Sequence, residues 1–203
     1  MPLISIDRFD DPRLEDFRSV SDGELLRRRN LFVGEGRLVV GRLINSGHRV
    51  VSLLVNEASR RALDRLLASL PDAVPVYVCR TDDFRSITGF NLHRGCLALA
   101  ERPPERTLAG VIDGHDRLLV LEGVGDADNV GSAFRNAAAF GARVLLSPTC
   151  CDPLYRKAIR TSMGSVLRTA YARLSKWPGD LATVKAAGFT IVALTPREDA
   201  LDL

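Results

Sequence analysis

The residues best placed to do chemistry fall in one stretch, RLLVLEGVGDADNVGSAFRNAAAFGARVLLSP, from Arg117 to Pro148. Its apolar runs and glycines predict a strand, a loop, a helix stopped by Gly141 and a second strand, which is a βαβ unit. Ligands of open parallel sheets sit beyond the carboxyl ends of the strands, where the loop from Gly123 to Asn129 falls. The helix that follows would offer unpaired N–H groups to an anion such as an RNA phosphate. Asn129, Gly131 and Arg135 occur near its start. Taken singly, Asn129 reads as a helix cap, Gly131 as a close-packing residue and Arg135 as a surface charge.

A second candidate is the run Arg27, Arg28 and Arg29. Ser21 followed by Glu24 fits a capping box, so these arginines are expected on a helix, as a solvated face or as contacts to an RNA backbone. Arg60, Arg61 and Arg65 lie opposite Leu63, Leu66, Leu67 and Leu70 on a further helix ended by Pro71. Other chemistries find little support. None of His48, His93 and His115 lies in a triad signature. Cys79, Cys96, Cys150 and Cys151 lack C-x-x-C spacing, so no metal site is expected. Neither dinucleotide nor P-loop glycine patterns occur.

The elements that must position these residues follow from hydrophobic periodicity. LFV, VVSLLV, VPVYVC and CLALA read as strands, and the stretch from Arg37 to Asn45, stopped by Gly47, reads as a helix. Alternating strands and helices predict a small α/β/α domain over residues 1–102. The Pro103 and Pro104 stretch is read as a linker over 103–116, and an open parallel-sheet domain as spanning 117–203. Asp152 as cap with Pro153 at the first helical position predicts another helix, and FTIVALTP a late strand.

Composition is that of a globular chain, 46% hydrophobic and 26% charged. A formal charge of +3 is compatible with a polyanionic partner without requiring one. Acidic residues interrupt the amino terminus and no apolar run approaches bilayer length, so no signal peptide and no membrane span are expected, and the location is read as cytoplasmic.

The run NVGSAFRNAAAFGA, from Asn129 to Ala142, resembles the first signature of the SpoU/TrmH (SPOUT) RNA methyltransferases: Asn129, Gly131, Arg135 and Gly141 match it, and Glu122 fits the preceding strand end. Ala127 stands where that family often has Pro. DPLYRKAIRTSMGSVLR, with Ser162, Met163 and Gly164, resembles the family's next helix and Ser-x-Gly turn. Matched to that signature and followed by this second stretch, the joint spacing of Asn129, Gly131 and Arg135 inside a βαβ unit favours a site. LFVGEGRLVVGRLI and GFNLHRGCLALAE are similar to its accessory RNA-binding domain.

The resemblance implies an accessory RNA-binding domain followed by a SPOUT-type domain incomplete at its carboxyl end. It further implies transfer of a methyl group from S-adenosyl-L-methionine to a ribose 2′ oxygen of tRNA or rRNA, by a homodimer when intact. Arg135 and Asn129 would be catalytic. Glu122, Gly131, Ser162 and Arg27, Arg28 and Arg29 would bind substrate. A guanidinium stays protonated, so Arg135 would hold the adjacent phosphate and stabilise the developing alkoxide instead of acting as a base, with Asn129 orienting Arg135 or the ribose. The family's Gly-Asn-Glu and Ser-Leu-Asn signatures, which hold the donor in a carboxy-terminal knot, do not occur in these residues. The 203-residue chain alone is therefore expected neither to bind the donor nor to methylate RNA. The competing reading is a non-catalytic RNA-binding protein that retains part of a methyltransferase fold.

Overall fold

A computed structural model of the chain describes residues 1–18, 23, 25–88 and 95–195. The capping pair Ser21 and Glu24, His93, and the end of the chain from residue 196 lie outside the described residues.

The first half builds one mixed sheet from β1 (Leu3–Ser5), β2 (Leu31–Glu35), β3 (Val50–Asn56), β4 (Val76–Cys79) and β5 (Cys96–Glu101), in the order β1-β4-β3-β5-β2. β1, β4 and β3 run parallel, while β5 is antiparallel to both β3 and β2. Side chains alternate between the faces with the period of two, except where an irregularity between Val50 and Ser52 shifts the register of β3. Phe32, Leu53, Val55, Val76, Cys96 and Ala98 enter one core, and Val33, Leu54, Tyr77, Leu97 and Leu99 the other. The first face is covered by α1 (Arg37–Ile44) and by α2 (Glu57–Ala62) with α3 (Asp64–Ala68). The second is covered by a 3-10 helix (Pro12–Phe17), a π-helical turn (Leu25–Arg29) and α4 (Asp83–Thr88). The helix expected to carry Arg27, Arg28 and Arg29 is thus a single wide turn, which Asn30 ends in the left-handed conformation one residue before β2 begins. The expected Leu63 to Leu70 helix is divided at Leu63, which caps α2 and starts α3.

The second half is a parallel sheet of β6 (Leu118–Leu121), β7 (Arg143–Leu146) and β8 (Tyr171–Arg173) in that order. β7 is central, so Val144, Leu145 and Leu146 are fully buried. One of its faces packs on α6 (Ala127–Ala139) and α7 (Arg156–Thr161), the other on α5 (Leu108–Ile112) and α8 (Leu181–Ala186). α5 corrects the linker reading. The stretch 103–116 contains a short helix because Thr107 Oγ1 caps it at the Gly110 N–H, 3.1 Å, and Val111 is buried beneath the sheet. α7 begins at Arg156 and not at Pro153, since Asp152 Oδ1 is turned back to accept from the Leu154 N–H at 2.9 Å. The stretch 189–195 is not a strand; Val192 and Leu194 are 68% and 76% exposed, with no ladder partner among the described residues.

The halves share one apolar core, in which Val130, Phe134, Leu154, Ala158 and Ile159 join the first face of the larger sheet. Polar contacts fix this docking: Arg102 pairs with Asp152 at 2.7 Å and Arg42 Nη1 donates to the Met163 carbonyl at 2.5 Å. No helix among the described residues is long and apolar enough to cross a membrane.

Candidate active site at the head of α6

The carboxyl ends of β6, β7 and β8 bring three loops together. Gly123 N–H donates to Ser147 Oγ at 2.9 Å, Cys151 N–H to the Val124 carbonyl at 2.9 Å, and Cys150 Sγ to the Leu121 carbonyl at 3.1 Å. Arg173 Nη1 reaches the carbonyls of Ser147, Pro148 and Cys150 at 3.2, 3.2 and 2.9 Å. Trp177 Nε1 donates to Glu122 Oε1 at 2.7 Å. Glu122 is therefore exposed where expected, at the strand end, and its carboxylate ties the first loop to the third.

α6 leaves this cluster with Asp126 as its cap. The Asp126 carboxylate accepts from the N–H groups of Asp128 and Asn129 at 2.9 and 3.0 Å. This corrects two expectations: Asn129 is not the cap, and two of the N–H groups read as open to an anion already have an acceptor. Asp128 points to α7, accepting from Thr161 Oγ1 at 2.6 Å and pairing with Lys157 Nζ at 2.8 Å. Its carboxyl is held below the usual carboxylate range, first by Lys157 and then by Thr161. Asp126 and Asp128 could have been found in the sequence, because an acid just before a helical apolar pattern is a start signal.

Asn129 and Arg135 are both exposed on α6, and among the described residues neither side chain has a protein partner. Six helical positions set them about 9 Å apart along the axis and roughly 120° apart around it. No hydrogen bond joins the two, so Asn129 does not orient Arg135 in this structure.

Gly131 and Ser162, expected among the substrate contacts, are buried instead. A Cβ on Gly131 would lie 2.6 Å from the Ala158 carbonyl oxygen and 2.9 Å from Thr161 Cβ, so this glycine permits the crossing of α6 and α7. Ser162 is fully buried, its Oγ donating to the Ile159 carbonyl at 2.9 Å at the end of α7. Arg27, Arg28 and Arg29 are exposed, but their turn packs through Leu25 on the face of the first sheet opposite α6 and α7. Arg29 is engaged by Glu15 at 3.0 Å and Asp16 at 2.6 Å. The structure does not bring these arginines to the head of α6.

The model of the SpoU rRNA Methylase family matches residues 116–202. Over 204 residues the chain is 41% identical to a tRNA/rRNA methyltransferase of Mycobacterium tuberculosis, covering 96% of this chain and 68% of that protein. The crystal structure of an RNA 2′-O ribose methyltransferase superposes with a TM-score of 0.73 at 25% identity, over 98% of this chain and 75% of the other. An AdoMet-bound rRNA methyltransferase from Sinorhizobium meliloti shares the fold, with a TM-score of 0.71 at 20% identity over 91% of this chain and 69% of that one.

Proposed function

The chain belongs to the SpoU family of tRNA/rRNA methyltransferases, and from that premise we propose that it methylates a ribose 2′ oxygen of tRNA or rRNA using S-adenosyl-L-methionine. The observation that carries this reading is the Arg135 guanidinium, exposed and without a partner among the described residues, on a helix that rises from the carboxyl ends of a parallel sheet.

The donor supplies an electrophilic methyl group on a sulfonium. Ser147 and Arg173 hold together the loops at the carboxyl ends of the strands, beside which the donor would lie. When bound, it would pass that methyl carbon to the 2′ oxygen as the carbon–sulfur bond breaks, with the hydroxyl proton lost to solvent. Arg135 holds the adjacent phosphate and stabilises the alkoxide as it develops. Asn129, on the same exposed turn of backbone as the cap, positions the ribose through its amide.

The test uses the protein that contains this chain, tritiated donor and bulk RNA. Label surviving in alkali-resistant dinucleotides marks 2′-O-methylation. Arg135→Ala is expected to lower incorporation at least a hundredfold, with Arg135→Lys recovering little of it because a point charge cannot reproduce the planar fork. Label found in bases, or wild-type rates from Arg135→Ala, would overturn the reading.

A further inference from the structure

Between α1, α3 and the segment after the 3-10 turn Ser165–Leu167 runs an open cleft lined by Arg37, Leu38, Arg42, Asn45, Leu66 and Arg168. Among the described residues, no carboxylate lines it. Arg37 Nε donates to Ser59 Oγ at 3.0 Å, and Arg42 donates to the Met163 carbonyl with its stem against Gly164. Both guanidinium groups are thus oriented by neutral acceptors that leave their charge uncompensated. Among the described residues, neither they nor Arg168 forms an ion pair, whereas Arg8, Arg13, Arg49 and Arg60 each have a carboxylate. Three like charges gathered without a counter-ion repel one another, and a polyanion relieves that repulsion.

A short relay of contacts also connects the cleft to the candidate active site. Met163, which holds Arg42, lies two residues beyond Thr161, and Thr161 is bonded to Asp128, the neighbour of Asn129. Leu38, 44% exposed, adds an apolar surface between the charges, suited to a ribose or base face.

We propose that this cleft binds the phosphodiester backbone of the RNA, flanking the nucleotide presented at α6. The inference rests on the proposed RNA substrate and assigns its binding to surfaces of both halves of the chain, in place of the Arg27 to Arg29 turn.

The experiment is fluorescence anisotropy of this chain with labelled bulk tRNA across a salt series. The pair Arg37→Gln and Arg168→Gln leaves the Arg42 contact intact and so preserves the docking of the halves. It is expected to weaken binding about tenfold or more at ~0.1 M salt and to flatten the slope of log K against log salt by about 1.4 to 1.8. The pair Arg8→Gln and Arg49→Gln removes the same formal charge from arginines already compensated, and is expected to leave both quantities unchanged. Equal weakening by the two pairs would overturn the cleft, because net charge alone would explain it. Wild-type binding by the cleft pair would overturn the cleft while leaving the RNA reading intact, and absence of RNA binding by the unsubstituted chain would overturn both.

Discussion

Val130, Gly131, Phe134 and Ala137 line one side of α6 and are buried, whereas Asn129, Ser132, Arg135 and Asn136 on its other sides are exposed. The buried side meets α7 and β7 in the core common to both halves. Residue identity there is set by volume, down to the absence of a single methyl at Gly131. The exposed side carries amides, a hydroxyl and a guanidinium that have no side-chain partner among the described residues. A short motif spans both sides, so its members do different work although they are neighbours in sequence.

The sharpest way to break this division is Gly131→Ala. The methyl would gain up to about 1 kcal/mol of helix propensity. It would also meet the Ala158 carbonyl at 2.6 Å, and a backbone oxygen inside a packed helix pair cannot rotate away. The net expectation is a loss of about 1–3 kcal/mol of stability, read by chemical denaturation of this chain. An unchanged midpoint would show that α6 and α7 separate easily and that Gly131 has another purpose.

Asp126→Ala comes next in size. Its carboxylate takes two first-turn N–H groups, so its removal is expected to cost about 1 kcal/mol. Loss of the cap would also free those groups for an anion, so sulfate should stabilise Asp126→Ala more than the wild type. Equal stabilisation by sulfate would mean that the anion binds elsewhere.

How much of this was legible in sequence depended on whether the cause was local. β6, α6 and β7 were legible because an apolar run, a helical pattern and a left-handed Gly141 that ends the helix all act within a few residues. The strands β2 to β5 were legible for the same reason, but their order was not, since the antiparallel insertion of β5 between β3 and β2 is decided by tertiary pairing. α5 was hidden behind two prolines, and its burial depends on β7 and β8, which come later in the chain. The burial of Ser162 and the packing of Gly131 were likewise invisible, because each is defined by a partner helix and not by spacing. The arginine cleft joins positions more than a hundred residues apart, and no periodicity reports such a meeting.

The smallest effect on stability is expected at Asn129, and it separates the capping reading of that residue from the functional one. Its backbone N–H donates to Asp126, a bond that Asn129→Ala retains. Its side chain is exposed and, among the described residues, makes no protein contact, so the substitution should shift stability by no more than about 0.5 kcal/mol. In the protein that contains this chain, the same substitution is expected to lower methyl transfer at least tenfold under the proposed role of the amide in orienting the ribose. The two measurements must therefore disagree in size. A denaturation shift as large as that of Asp126→Ala would return Asn129 to a structural role at the helix start. Normal turnover with normal stability would overturn the proposed role of Asn129 in positioning the ribose.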